Sequence, residues 1–88
     1  MDFIRFREKL FATSPMARTI FFNDTIIWLE TEEINRLPNP QLVEKYRGLI
    51  ELLKTANTMD KLNEEWFNKF QFTYGSLGCM EKLFRRFK

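Results

Sequence analysis

Apolar residues recur at helical spacing through most of this chain, and the least ambiguous run lies between Asn39 and Lys54. Leu42, Tyr46, Leu49, Ile50 and Leu53 form one wide stripe, while Glu44, Lys45, Arg47, Glu51 and Lys54 fill the opposite face. Asn39 is placed to cap the open amides of the first turn, and Pro40 stands where a missing N–H costs nothing. Glu44 is spaced to pair with Arg47, and Glu51 with Arg47 and Lys54. The apolar faces on either side have little else to bury against, so this helix is expected to organise the fold.

A first helix is expected over residues 3–12, capped by Asp2, with Phe3, Phe6 and Leu10 on one stripe and Ile4 and Phe11 beside it. Ser14-Pro15 ends it, because the residue before a proline is pushed out of the helical region, and the same pair serves as a start signal. Met16 to Leu29 supports two readings. As helix, Met16, Ile20, Ile27, Ile34 and Leu37 share a face, with a break or kink near Asn23-Asp24. As strands, residues 19–22 and 25–29 flank Asn23-Asp24 in the shape of a tight hairpin. The hairpin lacks its preferred glycine, and an isolated two-stranded ribbon is marginal, so the helical reading is preferred. Helix continues from Glu30 to Leu37, where Pro38-Asn39-Pro40 stops it.

Beyond a connection at Ala56-Asn57-Thr58, Thr58 or Asp60 is expected to cap a helix with Met59, Leu62, Trp66 and Phe70 on one face. Gly75-Ser76-Leu77-Gly78 reads as a turn, and a last helix follows with Met80, Leu83, Phe84 and Phe87 as its apolar stripe. The fold class is therefore all-α, a single domain over residues 1–88 with four or five helices. The alternative is α+β with a hairpin near residues 18–29. The expected core comprises Phe6, Leu10, Ile27, Ile34, Leu42, Tyr46, Leu49, Ile50, Leu53, Leu62, Trp66, Phe70, Leu83 and Phe84.

Composition adds an excess of rings: ten Phe, two Trp and two Tyr among 88 residues. So many aromatics can hold a thin core together, and a domain this small has trouble hiding them all. Phe21, Trp28, Phe67 and Phe72 sit off the main stripes and are expected to form an exposed contact patch. Charge is uneven, at +2 over residues 1–22, −4 over 23–66 and +4 over 67–88. Basic ends folding back on an acidic middle would neutralise it.

Histidine is absent, which removes the commonest general base and metal ligand. No glycine-rich phosphate loop is present. Glu32-Glu33 and Glu64-Glu65 are adjacent pairs whose members point apart on a helix, as solvated faces do. Cys79 is the only cysteine, so no internal disulfide and no cysteine-based zinc site can form, and it reads as a small buried residue. No signal peptide is evident, and no apolar run approaches the roughly 20 residues that span a bilayer. We expect a cytoplasmic chain, complete from its initial methionine, with no cofactor, no metal, no membrane and no enzymatic activity. The expected function is a protein-binding module: a small regulator, inhibitor or adaptor of a larger protein, or a homodimer. The alternative is nucleic-acid binding through Lys69, Lys82, Arg85, Arg86 and Lys88, bases interleaved with the apolar residues of the last helix.

Overall fold

Three side-chain caps set where helices begin. Ser14, in extended conformation, accepts the N–H of Ala17 on its Oγ at 3.3 Å, and Pro15 opens the helix behind it. Asn39 Oδ1 takes the N–H of Leu42 at 2.9 Å, again followed by proline. Asn63 Oδ1 takes the N–H of Trp66 at 2.8 Å. In the computed structural model, which describes residues 3–59, 62–75 and 80–86, these caps divide an all-helical chain. The expectations for Asp2, Asp60, Ser76 to Cys79, Phe87 and Lys88 lie outside the described residues. The helices are α1 (Phe3–Ala12), α2 (Pro15–Trp28), α3 (Pro40–Asn57), α4 (Glu64–Tyr74) and α5 (Met80–Arg86). No strand occurs among the described residues, so the hairpin alternative is set aside.

Two boundaries differ from the sequence reading. The helix does not break at Asn23-Asp24; α2 runs through both residues to Trp28. It then widens into a π turn over Leu29–Glu33, in which the N–H of Ile34 reaches back to the carbonyl of Leu29. A 3₁₀ turn over Ile34–Arg36 closes it, and Leu37 is extended. Leu29 and Glu33, at the two ends of the π turn, are both buried. Secondly, α4 starts at Glu64 rather than near Thr58, because α3 continues to Asn57 and Asn63 takes the capping role.

The core is a ring cluster wrapped by aliphatics. Phe6 is fully buried, with its ring centroid 4.9 Å from that of Phe84, 6.0 Å from Phe70 and 6.3 Å from both Phe21 and Phe67. Trp66 stacks on Phe70 at 5.3 Å, and its indole N–H donates to the Leu52 carbonyl, tying α4 to α3. Phe22, Leu29, Leu49, Leu53 and Leu83 fill the remaining space. The radius of gyration is 12.4 Å, close to the roughly 12 Å expected of a compact chain this long.

Of the expected core, Ile27 is a correction: it is 58% exposed, and Ile34 and Leu42 are only half-buried. α2 is rotated so that Arg18, Phe21, Phe22, Thr25 and Ile26 face inward. Phe21 and Phe22 together with Ile26 and Leu29 offer more apolar area than Met16, Ile20 and Ile27, so they win the inward side. Thr25 goes in with them because its hydroxyl is satisfied by the Phe21 carbonyl at 2.8 Å. Neighbouring isoleucines therefore test the rotation. In dilute protein, Ile26→Ala should cost about 2–4 kcal/mol in urea unfolding and Ile27→Ala less than about 0.5 kcal/mol.

Candidate functional site

The four rings expected to form a contact patch do not come together. Phe21 and Phe67 belong to the core, packed against Phe6, so their placement on a surface is corrected. α4 is covered on more than one side, which draws Phe67 inward beside Trp66 and Phe70. Trp28 is half-buried at the end of α2, and Phe72, 93% exposed, stands alone of the four on the outside of α4.

What the surface offers instead is the outward side of α2. Met16, Ile20 and Ile27 are 77%, 59% and 58% exposed. With Asn23 they fall at spacings of four, three and four residues, one continuous line along the helix. An ordinary surface helix keeps polar residues outside; one that is apolar on both sides is normally covered on both. Sequence periodicity found this line as one helical face and assigned Ile27 of it to the core. Asn23 lies in the middle, its Oδ1 accepting from Asn57 Nδ2 at 2.6 Å.

The far end of that line is bounded by α5. Arg86 lies over the Trp28 ring, 5.0 Å from its centroid, and donates to the Asp24 carbonyl at 3.4 Å. Asp24, Ile27, Trp28, Thr31, Glu32 and Arg86 surround a hollow of ≈ 290 Å³ here. Leu83 and Phe84 are buried, so α5 is docked by its apolar stripe.

Two of the five bases expected to meet nucleic acid, Lys82 and Arg86, are engaged within the chain. Lys82 bonds the Glu33 carboxylate at 3.0 and 3.3 Å, and Arg86 is held as above. Lys69 borders a small hollow with Gly48, Glu51, Leu52 and Thr55. Arg85 is exposed and forms no ion pair among the described residues, and Lys88 lies outside them. At the other end of the chain, Arg7 makes a two-pronged pair with Glu64. Those hydrogen bonds push the Arg7 guanidinium further above its ordinary high value. Arg7 and Lys82, from the two basic ends, thus each bind a carboxylate of the acidic middle.

Both acidic pairs are divided by these contacts. Glu33 is buried on Lys82 while Glu32 is exposed; Glu64 is held by Arg7 while Glu65 is exposed. No three acidic or cysteine side chains among the described residues are grouped as a metal ion would require. No helix among them is long and apolar enough to cross a membrane. Comparison with protein-family models, with curated proteins and with solved structures finds no match.

The Glu33–Lys82 contact joins the π turn to α5, and its two halves are unequal, since the carboxylate is only 7% exposed and the ammonium group 51%. Removing the lysine strands a buried charge, whereas removing both partners does not. Lys82→Met should cost about 1–2 kcal/mol in chemical denaturation, water screening part of the pair. The double variant Glu33→Met/Lys82→Met should recover most of that loss.

Proposed function

We propose that this chain is a non-catalytic protein-binding module, of the class of small regulators, inhibitors and adaptors, whose contact surface is the outward line of α2. The carrying observation is the exposure of Met16, Ile20 and Ile27 on a helix whose other side is already fully used. Water-exposed aliphatic groups in one line stabilise nothing in the monomer, and they are typical of surfaces covered on association.

The occupant we assign is a second copy of the chain. Ile20 and Ile27 stand equal distances on either side of the Asn23-Asp24 link, so the line is self-complementary about a two-fold axis there. In an antiparallel pair of α2 helices, Ile20 of one copy meets Ile27 of the other and Met16 meets Thr31. Asn23 meets Asp24, to which its side-chain amide can donate while its oxygen stays on Asn57. Alternating four- and three-residue spacing is the seam that helix pairs use. The nucleic-acid reading draws less support, because Lys82 and Arg86 are held by Glu33, Trp28 and Asp24. The lone Cys79, which needs no oxidising compartment, supports a cytoplasmic setting.

One helix–helix seam is a small interface, so the dimer should be of roughly micromolar strength. Light scattering should show the mass doubling between about 1 µM and about 1 mM protein. Ile20→Glu should hold the chain monomeric throughout, with an unchanged helical circular dichroism spectrum. A wild-type chain that stays monomeric over the whole range contradicts the assignment, as does a dimer that Ile20→Glu leaves intact.

A further inference from the structure

On the side of α2 away from its outward line, a cavity of ≈ 510 Å³ lies between α1, α2 and the start of α4. Phe11, Arg18, Leu62, Asn63 and Glu64 line it. Its volume is in the range of small-molecule sites, which run from about 300 to 1,000 Å³. The unusual member is Arg18. It is only 5% exposed, yet its guanidinium makes no hydrogen bond, ion pair or ring contact among the described residues. Glu64, the acidic residue among those named as lining the cavity, is taken by both prongs of Arg7. Arg18 itself lines the cavity, and none of its nitrogens is both sealed from solvent and without a partner.

A guanidinium remains charged at any ordinary pH, and burying it without a partner is costly. Its planar fork of five donors fits a carboxylate through two parallel hydrogen bonds. The open first turn of α4 adds to the positive field, since the Asn63 side chain satisfies only the Trp66 amide there. The remaining walls are apolar: the Phe11 ring, itself covered by Arg7 at 5.4 Å from its centroid, and Leu62. Glu64 is compensated by Arg7, so Arg18 is the one uncompensated charge among the described lining residues and matches a single negative charge.

We propose that this cavity binds a monocarboxylate with an alkyl tail, its head on the Arg18 fork and its tail along Phe11 and Leu62. The site is independent of self-association through α2, because Arg18 is on the inward side of that helix. A monoanion of this kind supplies the charge that Arg18 lacks and buries its chain against the two apolar walls. A phosphate dianion brings one charge more than Arg18 can compensate and no apolar tail, and a bare acetate leaves the walls uncovered.

Calorimetric titration with octanoate, octan-1-ol, acetate and inorganic phosphate tests this on the wild-type chain. Octanoate should bind at a single site with a dissociation constant of roughly 0.1 mM, and each of the other three at least about tenfold more weakly. Arg18→Met should weaken octanoate at least about tenfold while raising the melting temperature by about 5 °C, because the stranded charge is gone. Arg18→Lys, which keeps the charge but not the fork, should bind octanoate more weakly than wild type and more tightly than Arg18→Met. Absence of saturable octanoate binding up to roughly 5 mM overturns the proposal. So does octanol or phosphate binding as well as octanoate, or an Arg18→Met chain that binds it undiminished. A lowered melting temperature in a folded Arg18→Met chain also overturns it, since the guanidinium would then have a partner of its own. If that variant does not fold, the four-ligand comparison on wild type decides alone.

Discussion

The Phe6 ring is where this fold is closed. It comes from the first helix and meets rings from α2, α4 and α5, so four of the five helices are fastened at one fully buried side chain. Each such ring pair adds about 0.5–1.5 kcal/mol beyond the area it buries, in a chain whose whole stability is of order 5–15 kcal/mol. Everything else is placed by that closure. With α1 and α5 drawn together over α2 and α4, the basic ends of the chain reach carboxylates of its acidic middle. The ion pairs at Glu64 and Glu33 follow from the packing rather than cause it, as expected of pairs with at least one member in water.

The organiser expected from the pattern, α3, was the easiest element to read because its local signals agree, the interior Gly48 excepted. It has Asn39 as cap, Pro40 at its first position, one apolar stripe and one charged face, and Lys54 pairs there with Glu51 as spaced. Tyr46, Leu49, Ile50 and Leu53 are buried as the stripe requires. Its neighbour α2 was not legible in the same way. Ile20, Phe21, Phe22, Ile26, Ile27, Trp28 and Leu29 put apolar groups on both sides, so periodicity cannot say which side turns inward. Total apolar area, from Phe21, Phe22, Ile26 and Leu29, favours the other side, and the stripe drawn through Met16, Ile20 and Ile27 came out on the surface. Phe21 and Phe67 went the other way for a related reason: helices covered by several neighbours bury more than one stripe. The π turn at Leu29–Glu33 has no sequence signature of its own and depends on tertiary contacts.

The candidate site followed the same division. A protein-contact surface was expected on rings, and the structure offers aliphatic residues on a helix already named for its ambiguity. Arg18 attracted no notice in the sequence, although a single base inside the apolar run from Met16 to Phe22 was the available signal. Its burial without a partner among the described residues and the exposed line of α2 share one feature. Both leave favourable interactions unmade within the monomer, and natural folds depart from local consistency in this way mainly where something else binds.

The account depends most on which side of α2 faces the Phe6 ring, and a nuclear Overhauser spectrum of the aromatic protons reads that directly. Cross-peaks from Phe6 to Phe21, Phe70 and Phe84, with none to Ile20 or Ile27, are the result predicted by the packing described above. Cross-peaks from Phe6 to Ile20 or Ile27 in place of Phe21 would contradict it, because the inward side of α2 would then be the one assigned to the surface.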